Sequence, residues 1–440
     1  MIKFLFWFIF VYDLISPLLF SYNLMDKRFR GLSTIIIIYI FLYSFFFKTK
    51  LNIYIKNILF IIIIFCFFYL IISLINASTL LNIFWGILIF LKYPMLGLVV
   101  YNEPIIIGEL KDKLNKIFFY LLTLILMLQF YQYFSLNEEW DNVGGIFGNF
   151  GTARLLTLIM LIICFFVGTL IFISSRRNLF NFIFVQLICL VISILGEIKF
   201  YFFLMFLVFS FSVLLFFLKE KRYNKKTLVI LGMTISALIF SFPKFYDNLY
   251  GIRTGFYFED FFKIDKIEDY LNQYTQIKNS QYDIGRSLAI SLSFEQLNDN
   301  VFNLLFGYGF GSKSQSDFLN SAGIAVVKSG YLDFTGSSLV VFLTEFGIIG
   351  IIIIFSSIFL IIKYLYRYKS IHKDNFLSKI IYTLIIFSML WPALLYYSNV
   401  WIHPISMQFY WGFLGYSIRN IHNFLLANKQ ILNFNKFNYL

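Results

Sequence analysis

The sequence predicts an all-α polytopic membrane protein, with about twelve transmembrane helices (range about 10–13) and one large extracytoplasmic, mainly helical loop. Three observations predict this. Hydrophobic residues make up 60% of the 440-residue chain and charged residues 13%, with a mean hydropathy of +0.79, whereas soluble domains are about a quarter charged. Apolar runs close to the length of a bilayer crossing recur from end to end. One long hydrophilic stretch, residues 244–336, interrupts them.

Residues 1–20 carry only Lys3 ahead of the first apolar run, and no small-residue cleavage motif follows, so the segment is expected to be a retained membrane helix rather than a signal peptide. Asp13 and Pro17 predict an irregular one. Further spans are expected near 33–47, 58–76, 79–100, 117–134, 153–174, 179–195, 200–218, 227–243, 337–362, 380–397 and 404–418, where mostly apolar runs approach or reach the roughly 20 residues that a crossing needs. The chain thus divides into N-terminal membrane helices (1–243, about nine), the loop (244–336), C-terminal membrane helices (337–418, about three) and a cytoplasmic tail (419–440).

The net charge of +13 raises nucleic-acid binding. The basic residues instead sit in short clusters between apolar runs, where positive charge holds a loop on the cytoplasmic side. "KTKLNIYIK", "KDKLNK", "SSRRN", "KEKRYNKK" and "KYLYRYKSIHK" alternate with "NAST", "SLNEEWDNVGG" and "YSNVWIH", which predicts both termini in the cytoplasm. "SYNLMDKRFRG" breaks the rule through Lys27, Arg28 and Arg30. Cys66, Cys164 and Cys189 lie inside apolar runs, and His372, His403 and His422 are scattered, so neither metal nor cofactor is expected. The 60 Phe and 30 Tyr run through whole segments rather than forming belts at their ends, and most are expected to face lipid.

The long loop carries more acidic than basic residues, and the topology puts it outside. Within it "KIDKIEDYLNQYTQIKN" and "SLAISLSFEQLNDNVFNLL" read as amphipathic helix, predicting a small helical cap over the outer face. "LFGYGFGSKSQS" sets Gly307, Gly309 and Gly311 at alternate positions before Ser-Lys-Ser. It is not a nucleotide loop, because Ser312 stands where the last glycine of that motif belongs. Such glycines permit either a tight turn or close approach of backbone N–H groups to a ligand.

Charges at membrane depth are candidate functional groups. Glu197 and Lys199 in "ILGEIKFYFF" are the only charges between two apolar segments, and Arg154 in "GGIFGNFGTARLL" lies just inside another. Glu345 falls within the tenth span and Asp333 just before it. Arg253 and Arg286, taken singly, read as ordinary solvated charges of the loop. No internal repeat, and no matched pair of Gly/Pro-broken segments, is visible, which argues against inverted-repeat transport.

Taken in order, "GGIFGNFGTA", "GEIK", "IGRSLAI", "LFGYGFGS" and "DFTGSSLVVFLTEFGIIG" resemble the O-antigen polymerase and ligase superfamily, the Wzy-type lipid-linked polysaccharide polymerases, over about residues 136–355. The resemblance implies a metal-independent glycosyltransferase of the bacterial inner membrane, acting on undecaprenyl-pyrophosphate-linked oligosaccharide. It implies basic residues on the outer face, here Lys199 and Arg286, gripping the pyrophosphate. Glu197 and Asp333 are then candidates for the base that takes the acceptor's proton. Asn149, Arg154, Arg253, Gly307, Gly309, Gly311 and Ser337 would contact the lipid pyrophosphate or glycan. Partners implied are membrane lipid, a chain-length regulator and a flippase of the same pathway, with no nucleic acid. The ligase branch carries a histidine ahead of a G-x-x-G, and here Gly347 to Gly350 is preceded at that distance by Gly336 and Ser337. Polymerisation is therefore the expected reaction, with O-antigen ligation to lipid A core, polysaccharide flipping or transport, and a purely structural role as rivals.

Overall fold

The computed structural model describes residues 1–22, 24–26, 29, 31–48, 53–109, 114–137, 143–146, 176–196, 274–277, 281–284, 286–313, 315–316, 321–328, 337–369, 375–397 and 399–437, with isolated positions between 201 and 263. Among the described residues seven helices precede the long loop: α1 (Ile2–Ser21), α2 (Leu32–Lys48), α3 (Ile53–Ile75), α4 (Leu80–Asn102), α5 (Ile105–Gly108), α6 (Leu114–Ser135) and α7 (Arg176–Leu195). In the loop, β1 (Tyr274–Ile277) pairs antiparallel with β2 (Gln281–Ile284) and is followed by α8 (Arg286–Asn298) and α9 (Val301–Phe306). A second small hairpin, β3 (Gln315–Ser316) with β4 (Ser321–Ala322), leads to α10 (Ile324–Lys328). The chain then forms α11 (Ser338–Tyr368), α12 (Asn375–Met389), α13 (Trp391–Tyr397), a 3-10 turn (Val400–Ile402) and α14 (Pro404–Phe437).

Among the described residues four helices are long and apolar enough to cross a membrane, within α1, α4, α6 and α11, or five if the bent pair α12–α13 is one span. α2 and α3 add shorter apolar helices. The spans expected at 153–174 and 227–243 lie outside the described residues, as does most of 200–218. In the described spans the helix satisfies backbone N–H and C=O groups within the segment, as lipid requires.

Two expectations are corrected. Helix was expected through Tyr274–Ile277, where β1 forms instead; Tyr-Thr-Gln-Ile and Gln-Tyr-Asp-Ile favour a strand through their aromatic and β-branched residues. The single span expected at 380–397 is broken at Leu390, where α12 and α13 meet at 52°. Pro392 is the physical cause, since it has no N–H for the helix ladder and its ring clashes with the preceding turn.

α4 sits at the centre, packed on α2, α3 and α14. Its crossing with α14 is close because Gly97 meets Gly415: a Cβ on Gly415 would stand 2.0 Å from the Gly97 carbonyl oxygen. Small residues allow such backbone approach where lipid supplies no hydrophobic drive. On the other side α1 packs against α2 and α14. Despite Asp13 and Pro17, α1 is one continuous helix. Asp13 is buried and accepts a short hydrogen bond from the Gln408 amide on α14. Lys92 of α4 donates to Ser33 Oγ of α2 at 2.8 Å and lies within electrostatic reach of Asp13. A carboxylate and an ammonium thus share the interior of a four-helix junction, where each makes the other tolerable.

Asp13→Ala removes the acceptor of the buried Gln408 amide and should destabilise the protein by about 1–3 kcal/mol, the usual cost of leaving a buried polar group unpaired. Thermal melts in detergent measure it, with Asp13→Asn falling in between. An unchanged midpoint for Asp13→Ala would mean that the junction is held by packing alone.

Candidate functional site

α9 ends at Gly307, and from there the chain turns inward. Residues 307–313 are all buried, so the stretch that the topology sets outside is inserted between α3, α4 and α11. Irregular backbone among apolar helices must find partners for its polar groups within the protein, and α11 supplies them. At Gly347 the helix leaves helical geometry (φ 62°, ψ −167°). Just before this kink, the Thr344 carbonyl accepts from Tyr308 N–H at 2.9 Å and the Glu345 carbonyl from Gly309 N–H at 2.8 Å. The Phe346 carbonyl accepts from Tyr69 Oη of α3, also at 2.9 Å. Loop and kink therefore satisfy one another.

The glycines at alternate positions belong to this insertion. Gly309 has φ +89°, and a Cβ there would stand 2.2 Å from Ser73 Oγ and 2.6 Å from Ser73 backbone atoms. A Cβ on Gly311 would stand 2.0 Å from the Asn82 carbonyl oxygen, while one on Gly86 would meet Gly311 N at 2.4 Å. The close approach that these glycines permit is to backbone of α3 and α4. Between them Phe310 enters a ring cluster with Phe65, Tyr69, Phe90 and Phe346, at centroid distances of 5.1–6.4 Å. Tyr69, Phe310 and Phe346 are buried core and Phe65 and Phe90 half-buried, whereas most aromatics were expected to face lipid; only their partners across the fold, which the sequence does not reveal, distinguish the two roles. Beyond Gly311, Lys313 is 1% exposed and Glu345 5% exposed, and Lys313 N–H reaches Glu345 Oε1 at 3.4 Å.

A second polar junction lies at the start of α11. Ser337, its N-cap residue, donates from Oγ to the Leu395 carbonyl at 2.8 Å. Ser338 Oγ donates to Asn399 Oδ1 at 2.9 Å and accepts from Trp401 N–H at 3.0 Å. Trp401 also donates from its indole to the Phe90 carbonyl at 3.2 Å, the acceptor that Pro94, four residues on, cannot serve. Its ring stacks on Phe90 at 5.1 Å, which joins this junction to the Phe310 cluster. Next in the chain, buried His403 pairs through Nδ1 with Ser406 Oγ at 3.3 Å. Sequence reading did not single out Asn399 or Trp401 and named His403 only as one of three scattered histidines; the bond from Trp401 to the Phe90 carbonyl, across 311 residues, leaves no local signature.

The structure joins some of the sequence-derived site residues. Gly307, Gly309 and Gly311 lie in the inserted loop, and Ser337 caps α11. Arg286 is the first residue of α8, with its side chain outside the described residues. α8 runs alongside α11, Ala289 packing near Val340 and Leu297 near Leu343. Arg286 stands three residues before Ala289 and Ser337 three before Val340, so both backbones begin at the same end of this helix pair, each about one turn from the contact. Asn149, Arg154, Glu197, Lys199, Arg253 and Asp333 lie outside the described residues. Among the described residues no three His, Cys, Asp or Glu side chains converge as metal ligands would. No family model matches the chain, and no curated protein matches it significantly.

Gly309→Val should expel the loop, since its Cβ has no space between Ser73 atoms and the left-handed backbone adds about 1–3 kcal/mol of strain. In a protein with Cys66, Cys164 and Cys189 replaced, Ser312→Cys reports the change: it is shielded from maleimide alone, and its labelling rises severalfold when Gly309→Val is added. Equal labelling of the two proteins would show that the loop tolerates the side chain.

Proposed function

We propose that the chain is a surface-polysaccharide polymerase, transferring a growing glycan from undecaprenyl pyrophosphate onto a lipid-linked repeat unit at the outer face of the bacterial inner membrane. The observation that carries the reading is the common end shared by Arg286 and Ser337, two residues from separate stretches of the resembling set. A third stretch, the glycine loop, is hydrogen-bonded to the helix that Ser337 caps.

In this reading the acceptor hydroxyl oxygen attacks the anomeric carbon of the donor sugar, and the bond from that carbon to the pyrophosphate oxygen breaks. Undecaprenyl pyrophosphate departs with the bonding pair, and the hydroxyl proton passes to a carboxylate, Glu197 or Asp333. Arg286 and Lys199 stabilise the charge that gathers on the leaving pyrophosphate, a task for which fixed cations suffice. Asn149, Arg154 and Arg253 would contact the pyrophosphate or glycan, with no cofactor and no metal, whereas Ser337, buried and bonded to the Leu395 carbonyl, would position the start of α11. A chain-length regulator and a flippase would be its partners.

Transport is the second reading, favoured by one observation, the buried Asp13, Lys92 and Gln408 junction. Ionisable groups inside a helix bundle are what a translocation path requires. Ligation to lipid A core is the remaining enzymatic alternative.

Proteoliposomes with defined lipid-linked repeat units separate these readings. The polymerase converts single units into a ladder, and Arg286→Ala and Lys199→Ala each lower the rate by on the order of a hundredfold, as loss of one transition-state donor does. Absence of any ladder from the intact protein removes the polymerase reading. Movement of units between leaflets without elongation identifies transport, and product formed only on added lipid A core identifies the ligase.

A further inference from the structure

α9 is inverted relative to a helix that faces water. Its six residues, Val-Phe-Asn-Leu-Leu-Phe, include one polar side chain, Asn303, and that one is turned inward at 9% exposure. The residues turned outward are Val301 (71% exposed), Phe302 (38%) and Leu305 (36%). A surface helix in water presents the opposite arrangement, polar outside and apolar inside. Phe294 of α8 adds a further exposed ring on the preceding helix.

This apolar surface continues onto another. Phe302 packs on Phe306 at 5.0 Å, and Phe306 packs edge-on against Phe68 of α3 at 5.5 Å. Phe68 belongs to the outward face of α3, where Phe60, Ile64, Phe67, Ile71 and Ile75 are all exposed. A face of that composition and length has lipid as its solvent. The depth agrees: the loop that follows α9 bonds to Thr344 and Glu345, six and seven residues into α11, or about 9–10 Å below its first turn. Exposed Asp299 and Asn300, directly before α9, mark where the polar boundary falls.

We infer that α9 is immersed in the outer leaflet, with Val301, Phe302 and Leu305 against acyl chains. The long loop is therefore not wholly aqueous: its segment from α9 through Lys313 is a re-entrant element that dips from the headgroup level into the bundle. Immersion of α9 rests on burial and packing and holds whichever reaction the protein performs, while its assignment to the outer leaflet rests on the charge pattern of the connecting loops.

Nitroxide labels test it in full-length protein reconstituted into phospholipid vesicles, with Cys66, Cys164 and Cys189 replaced. Labels at Val301→Cys and Leu305→Cys should collide severalfold more with oxygen, which partitions into lipid, than with a water-soluble nickel chelate. Phe67→Cys on α3 gives the lipid reference and Asp299→Cys, where the ratio reverses, the aqueous one. Chelate-dominated collisions at positions 301 and 305 would overturn the proposal in favour of a water-exposed cap. Low collision with both reagents would also overturn it, by showing that protein covers the helix. All four positions are exposed, so the labels themselves do not threaten folding.

Discussion

The fold turns on one pairing, in which the backbone N–H groups of Tyr308 and Gly309 meet the Thr344 and Glu345 carbonyls where α11 kinks at Gly347. Inside a bundle of apolar helices an unpaired backbone group costs several kcal/mol, so a non-helical loop and a broken helix are each unfavourable alone. Together they are complementary. The glycines follow from this, since Gly307, Gly309, Gly311 and Gly86 all stand where a Cβ would collide with neighbouring backbone. The same logic recurs at Phe90, whose carbonyl lacks a helical donor because of Pro94 and takes the Trp401 indole instead. Breaks in the helices are thus the points at which distant parts of the chain are fastened together.

Side-chain polarity in the interior obeys a parallel rule. Asp13, Gln408, Lys92 and Ser33 come from four different helices, and each finds its polar partner on another of them. This junction fixes α1, α2, α4 and α14 relative to one another. The loop fixes α3, α4 and α11. α4 takes part in both, which is why it occupies the centre.

Much of the helical frame was legible in the sequence. The runs read as 33–47, 79–100 and 117–134 became α2, α4 and α6 with ends shifted by a few residues, because lipid thickness imposes a length that an apolar run displays directly. Breaks were less legible. Gly347 and Gly350 look alike in "EFGIIG", and only contact with the loop shows which one bends. The burial of the glycine loop was not read from the sequence, although Leu305–Ser316 holds a single charge, Lys313, and its start overlaps the apolar "VFNLLF". Low charge and apolar neighbours were the available signs of that burial. Of the candidate site, the order of the stretches was visible, but their convergence depends on tertiary contacts.

Those contacts tie the site together mechanically. α8 begins with Arg286, packs along the first turns of α11 through Ala289 and Leu297, and is held to the loop by the Tyr308 hydroxyl, which donates to the Gln296 carbonyl at 2.8 Å. Tyr308 is also the residue whose N–H bonds to α11. One tyrosine therefore links the helix carrying Arg286, the inserted loop and the kinked helix capped by Ser337. A displacement of α8 along α11 would have to break the Tyr308 bonds or drag Gly309 against Ser73, where no space exists. The spacing between the starts of α8 and α11 is consequently set by backbone hydrogen bonds and steric contact rather than by flexible side chains. Such rigid support is what a site needs to hold charged groups against a developing charge.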